Sequence, residues 1–182
     1  IGTIQPIKEI ASLIAKKRSQ RANYSLPTSH YPLILHTDAC QAANFLDLHV
    51  SRLGIDLMTL NGGKIYAVKQ SGCLYVRAGV ELEPLVRGGG QESSLRSGTE
   101  NVSSIMAFAT MLQNVQAERK EESARLKDLS DSMFTTLSQN IPNLTLNGDS
   151  QKRLPNNLNI LIPGIDGERV LLELDEAGVM VA

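Results

Sequence analysis

The sequence predicts an α/β fold followed by a smaller α+β lobe. Three observations carry that expectation. An amphipathic N-terminal helix leads into two short apolar runs, Leu33-Ile34-Leu35 and Ile55–Leu60, each breaking off into polar or glycine-rich residues. A helical pattern then fills Asn101 to about Asn140. The remaining segments, LTLNG, NNLNILIPG, DGERVLLELDEAG and VMVA, read as β-β-α-β.

Each element has a local reason. Pro6 suits a first helical turn, where its missing N–H costs nothing. Ile7, Ile10, Leu13 and Ile14 then share one helical face, with Lys8, Lys16 and Lys17 on others. Residues 19–30 are polar and contain proline, as in a loop. Leu33-Ile34-Leu35 has the continuous apolar character of a strand covered on both faces. Ile55–Leu60 reads as a second strand, closed by Gly62-Gly63. A third, at 71–79, is bounded by glycines and could pair back on a neighbour. Residues 80–100 hold Gly88-Gly89-Gly90 and Gly98 and are expected to be irregular. One long or two shorter helices follow, with Ile105, Ala109, Leu112 and Val115 on a common face and Pro142 just past the end. The pattern divides the chain into residues 1–116, part of a large domain, and 117–182, part of a small α+β domain.

Composition removes several function classes. The chain is 42% hydrophobic and 20% charged, enough apolar material for a sizeable core. The net charge of −1, without a basic stretch, argues against nucleic acid and anionic membrane surfaces as partners. No apolar run approaches the roughly 18–20 residues of a membrane span. Cys40 and Cys73 stand apart rather than in a CxxC, which disfavours a disulfide framework or a zinc site. A cytoplasmic location is expected. The chain opens on Ile1 and closes on an apolar run, so both ends read as cut from something longer.

The chemistry gathers where the apolar runs stop. Asp38 and Gln41 follow the first, and Gly62-Gly63-Lys64 the second. Open α/β sheets bind ligands beyond the carboxyl ends of their strands. A lone lysine there is ordinarily a solvated charge, and an aspartate a turn or cap residue. A lysine amine is also the group that forms Schiff bases. In pyridoxal phosphate enzymes a carboxylate faces the pyridine nitrogen and keeps it protonated. Asp38 and Lys64 fit those two tasks, and Gln41 could bond the ring oxygen. The segment GGGQESSLRSGTEN, 88–101, adds close-approach glycines, Arg96, the Thr99 hydroxyl and a helix start at Asn101, a phosphate-binding combination. Neither a Walker loop nor a GxGxxG fingerprint is present.

These motifs, H-x-D-A-x-Q at 36–41, D-L-M-x-x-x-G-x-K-I-Y at 56–66, G-x-L-Y-V-R at 72–77 and G-G-G-Q-E-x-x-x-R-S-G-T-x-N at 88–101, resemble the cysteine desulfurases. Those are class-V aminotransferase-like pyridoxal phosphate enzymes of fold type I, and the resemblance runs through nearly the whole chain. It implies that Asp38 pairs with the pyridine nitrogen and Gln41 with the ring oxygen. It implies that Lys64 holds pyridoxal 5'-phosphate as a Schiff base and then shuttles protons. At Asn61, where the family has a phosphate-binding serine, the chain departs from the pattern, but the amide can still donate a hydrogen bond to the cofactor. Thr99 is implied to reach the phosphate of the partner subunit in a homodimer, with Arg96 ordering its loop and His36 structural.

The family pattern S-G-H-K reads Asn61-Gly62-Gly63-Lys64 here, so no imidazole accompanies the lysine. Cys40 and Cys73 sit where the family has no nucleophile and read as small buried hydrophobes. In the family the catalytic cysteine loop follows the stretch seen here, and part of the phosphate cup precedes it. The implied parent reaction converts L-cysteine to L-alanine and an enzyme persulfide for sulfur transfer and iron–sulfur cluster assembly, with a scaffold protein as a possible acceptor. This chain is expected to be a partial copy, inactive alone. The alternatives are another class-V enzyme, such as a selenocysteine lyase or an aminotransferase, and a non-catalytic remnant acting as a binding module.

Overall fold

The computed structural model describes residues 1–22 and 33–182. Helix α1 spans Ile7–Ala22, with Pro6 immediately before it and the Ile10 N–H donating to the Pro6 carbonyl. The helix therefore includes Ser19 to Ala22, which the sequence reading placed in a loop. Residues 23–30 of that expected loop lie outside the described residues. Lys and Arg side chains on the polar face keep the helical pattern going past the last apolar residue.

Strand β1 is His36–Asp38, α2 is Val50–Leu53, β2 is Leu57–Asn61 and β3 is Gly72–Val76. The first strand starts later than its apolar run suggested, and Ile34 is exposed rather than covered on both faces. The physical reason is the ladder. The Leu35 carbonyl already accepts the N–H groups of Asp56 and Leu57, and the paired stretch runs from His36↔Leu57 to Asp38↔Thr59. Strand order is β1-β2-β3, with β1 and β2 parallel and β2 and β3 antiparallel. The third strand does pair back on its neighbour, in register from Leu57↔Val76 to Asn61↔Gly72.

Helix α3, Val102–Asn140, is a single 39-residue helix. It is followed by β4, Thr145–Leu146, β5, Ile160–Leu161, and α4, Gly167–Glu176. Two compact units are distinguished, Gln5–Glu122 and Ile1–Ile4 with Ser123–Ala182.

In the unit Gln5–Glu122, the core gathers Ala39, Ala43, Ile55, Met58, Leu60, Ile65 and Phe108. Met58 and Ile65 are almost wholly enclosed, each stabilising the unit by roughly 1.5–3 kcal/mol through burial. From α3 the packed residues are Phe108, Met111, Leu112 and Val115, whereas Ile105 and Ala109 are exposed. The common face expected for those residues is thus rotated toward Phe108. A buried carboxylate braces the other end of the sheet. Asp56 accepts the Leu35 N–H at 2.7 Å, meets Arg77 Nε at 2.7 Å and pairs with Arg18. Burial, the largest single influence, raises the Asp56 pKa, but those three partners together hold it below the ordinary value.

In the other unit, β4 and β5 pair antiparallel and Arg153 is the hub. Its guanidinium donates to the Ile1 carbonyl at 2.6 Å, to Asn157 Oδ1 at 3.1 Å and to the Asn147 carbonyl. Asp166 caps α4 by accepting the Glu168 N–H at 3.1 Å. The expected strand at VMVA is not formed; residues 179–182 carry no ladder partner among the described residues. Val179, Met180 and Val181 are exposed instead. Among the described residues no helix is long and apolar enough to cross a membrane.

Candidate active site

The parallel pairing of β1 and β2 places their carboxyl ends side by side. Asp38 is the last residue of β1 and pairs in register with Thr59. Beyond it the small residues Ala39 to Asn44 turn tightly, with the Ala42 N–H donating to the Ala39 carbonyl at 2.9 Å. Alanines and a glutamine suit that path, because Ala39 and Ala43 are buried against the sheet while Gln41 is exposed. Gln41 in this turn is exposed, as is Asp38 before it.

Lys64 closes the 3-10 turn Gly62–Lys64 that follows β2. Asn61 caps the turn: its Oδ1 accepts the Gly63 N–H at 2.8 Å. That leaves its amide nitrogen as the donating end. Gly62 is buried, and an added Cβ would stand 2.0 Å from Ser71 Oγ, so a side chain there has to displace the Ser71 hydroxyl. Ile65 is fully enclosed and anchors the turn from the other side, leaving the Lys64 side chain exposed.

The electrostatics favour an ionised Asp38. A hydrogen bond from the Cys40 side chain contributes most, the Cys40 N–H at 3.0 Å follows, and nearby His36 adds to both. These outweigh slight burial and hold the Asp38 carboxyl below its ordinary pKa. Cys40 moves the opposite way. Burial first, then the Asp38 carboxylate, push its thiol up to about 11, against a smaller pull from the Lys64 charge. Its Sγ lies 3.8 Å from the Thr59 carbonyl. Cys40 is therefore a protonated, half-buried thiol at neutral pH, not a thiolate. Cys73, read from the sequence as buried, is exposed; its pKa is also raised, chiefly by burial of the sulfur and then by Glu92.

Two residues of this cluster escaped sequence reasoning. Thr59 Oγ1 bonds His36 Nε2 at 2.8 Å, and its carbonyl accepts the Ala39 N–H at 2.9 Å. A single polar residue inside the run Ile55–Leu60 was the available signal. Asn44 Nδ2 donates to the Lys64 carbonyl at 2.8 Å, across twenty positions of sequence, and left no local pattern.

The segment 88–101 folds within itself. The Ser97 hydroxyl donates to the Gly89 carbonyl at 2.8 Å, and Arg96 Nη1 donates to the Ser97 carbonyl at 2.9 Å. Glu92, Ser93 and Ser94 are successive left-handed residues, a conformation costing roughly 1–2 kcal/mol each. Asn101 spends its side-chain oxygen on Ser104 N–H and Ser103 Oγ at the start of α3. Thr99 is exposed, and among the described residues no hydrogen bond joins it to Asp38, Gln41 or Lys64. The structure thus brings Asp38, Gln41, Asn61 and Lys64 to one end of the sheet, and Thr99 onto a separate loop.

The whole chain, residues 1–182, matches the aminotransferase class-V family. The chain belongs to that family. Among its class-V relatives, the cysteine desulfurase IscS 1 of Archaeoglobus fulgidus is 38% identical over 182 residues, covering 100% of this chain and 44% of the relative. The cysteine desulfurase IscS of Dictyoglomus turgidum is 37% identical, covering 100% and 43%. A solved NifS-like protein superposes with a TM-score of 0.88 at 27% identity, covering 100% of this chain and 46% of the other. The NifS-like protein of Rickettsia africae ESF-5 gives 0.86 at 28%, with the same coverage. This class-V chain therefore has the fold of the NifS-like, fold-type I proteins and spans less than half the length of the relatives it matches.

The donor set suits pyridoxal phosphate. A carboxylate held in its ionised form and an exposed primary amine stand at neighbouring parallel strand ends, with an amide on each turn.

Proposed function

We propose that this chain is the cofactor-binding floor of a cysteine desulfurase, using pyridoxal 5'-phosphate held by Lys64. The observation that carries the reading is the placement of ionised Asp38 and of Lys64 at adjoining ends of parallel strands. Bound pyridoxal phosphate supplies an electron-accepting ring. In this reading Asp38 keeps a proton on the ring nitrogen, and Gln41 donates to the ring oxygen. The Asn61 amide donates to the phosphate. Lys64 would hold the cofactor covalently, and its amine would serve as the base that moves the proton at the substrate Cα. Thr99 serves the phosphate of a partner subunit, so the working form is a homodimer.

The reaction proposed for the parent protein is L-cysteine plus an enzyme thiol giving L-alanine and an enzyme persulfide, with sulfur passed on to iron–sulfur assembly in the cytoplasm. A solved relative described as SspA in complex with cysteine, 26% identical with a TM-score of 0.69, supports the substrate class. Residues 1–116 belong in this reading to the cofactor-binding domain and 117–182 to the small domain; the two compact units support a division near that point, although they break between Glu122 and Ser123 and group Ile1–Ile4 with the C-terminal residues. Cys40, held protonated, is a poor substitute for a nucleophile, so this chain alone is proposed to be inactive. Gly63, lacking an imidazole, favours a second reading in which the chain is a non-catalytic binding module.

Incubation with pyridoxal phosphate, borohydride reduction and peptide mapping separate the two readings. The cofactor reading expects a pyridoxyl adduct at Lys64 that is lost in Lys64→Ala. Absence of the adduct at millimolar cofactor sinks it.

A further inference from the structure

Lys64 works from a backbone that is gripped on both sides, and one grip comes from a residue without a role so far. Asn44 Nδ2 donates to the Lys64 carbonyl at 2.8 Å. Its own support is firm. Gln116 Nε2, from α3, donates to the carbonyls of Ala43 and Leu46, at 2.5 and 2.9 Å, on either side of Asn44. Ala43 is 1% exposed. On the lysine side, the Ile65 N–H donates to the Gly62 carbonyl at 3.1 Å, and Ile65 is fully buried. The Asn44 bond therefore joins two anchored segments.

The remaining atom of that amide is informative. Among the described residues, Asn44 Oδ1 is buried without a hydrogen-bond partner. An unpaired buried acceptor opposes folding, and an alanine in the same turn would avoid it. The reversed amide, with oxygen toward the Lys64 carbonyl, would set two acceptors against each other, so the donor assignment is fixed by chemistry. Among the described residues, the hydrogen bond its side chain makes is the one to Lys64.

A closed circuit results. The Ala39 N–H binds the Thr59 carbonyl at 2.9 Å next to Asp38, and Asn44 binds the Lys64 carbonyl five residues beyond Thr59. The turn carrying Asp38 and the turn carrying Lys64 are thereby locked together at two points. A carboxylate and an amine serving one planar ring need a fixed separation, and small misplacements at such sites cost large factors in rate. We propose that Asn44 is a positioning residue that sets the Lys64 backbone against Asp38. The inference rests on the cofactor reading above, and goes beyond it in assigning the register of the two groups to a side-chain amide.

The test measures the rate of borohydride-trapped pyridoxyl adduct formation at each lysine, by peptide mapping of the full chain with pyridoxal phosphate. Asn44→Asp keeps the shape and removes the donor; Asn44→Ala removes both. Melting temperature and circular dichroism report the fold. The expected result is a native fold with adduct formation at Lys64 slowed about ten-fold in both variants, and no change at Lys16 or Lys69. Equal rates at Lys64 in folded variants overturn the proposal. So does slowing at every lysine, or failure of both variants to fold, since Asn44 would then serve the fold as a whole. If the unmutated chain forms no adduct at Lys64, the cofactor reading itself fails, an outcome distinct from all of these.

Discussion

Asn61 Oδ1 takes the Gly63 N–H at 2.8 Å, one residue ahead of Lys64. Among the described residues outside its chain neighbours, a Cβ on Gly63 would meet that same oxygen, at 3.2 Å. The turn therefore accepts a side chain where the related pattern has histidine, after a shift of a few tenths of an ångström. Gly63→His is expected to tighten pyridoxal phosphate binding about ten-fold, the worth of one added hydrogen bond to a charged group. Equilibrium titration checks this, and unchanged affinity would show that phosphate is not held at this turn.

Gly62 has no such room. Its added Cβ meets Ser71 Oγ at 2.0 Å and the Ser71 and Val68 carbonyls at 3.1 Å. Gly62→Ala is expected to destabilise the unit by roughly 1–3 kcal/mol, read as a lowered denaturation midpoint. Adding Ser71→Gly relieves the hydroxyl clash but leaves the two carbonyl contacts, so recovery should be partial.

Asp56 makes stability depend on acid. Its folded-state pKa lies below the ordinary carboxylate value, so its contribution is complete above about pH 3.9. That contribution is lost as pH falls through the depressed folded value. Asp56→Asn should cost roughly 2–3 kcal/mol near neutrality, a figure discounted because Arg77 is half exposed. The variant should also show a flatter acid limb in denaturation curves. An unchanged acid limb would show that Asp56 is not the group responsible.

Cys40 should alkylate slowly. With its thiol pushed up to about 11, little thiolate exists at pH 8, and the iodoacetamide rate should climb with pH well past the ordinary cysteine range. Asp38→Asn removes the second contributor to that shift, so Cys40 should become faster to modify at pH 8. A slower or unchanged rate in Asp38→Asn would argue against the Asp38–Cys40 contact.

Much of the proposed site was legible because its residues sit at strand ends, and strand ends are marked by composition. Asp38 and Lys64 each follow an apolar run, and glycines flag the turn that carries the lysine. The position of β1 was less legible. An apolar run reports burial, while the ladder is set by the partner, and Leu35 spends its carbonyl before the paired stretch begins. Ile105 was misleading for a related reason: several helical faces contain apolar residues, and packing around Phe108 chose among them. VMVA has strand-like residues, but a strand needs a neighbour to pair with. Asn44 was invisible because its target is a backbone carbonyl, which has no residue type to recognise.

The antiparallel return of β3 has a mechanical consequence for Lys64. A parallel successor to β2 would need a long crossover, whereas β3 lets residues 62–71 form a short hairpin connection. The Gly62 N–H bonded to the Ser71 carbonyl at 2.8 Å fastens its base. The amine is thus mounted on a clasp. Its travel is the length of its own four-carbon stem, and adjustment to a bound molecule falls to that stem and to the molecule.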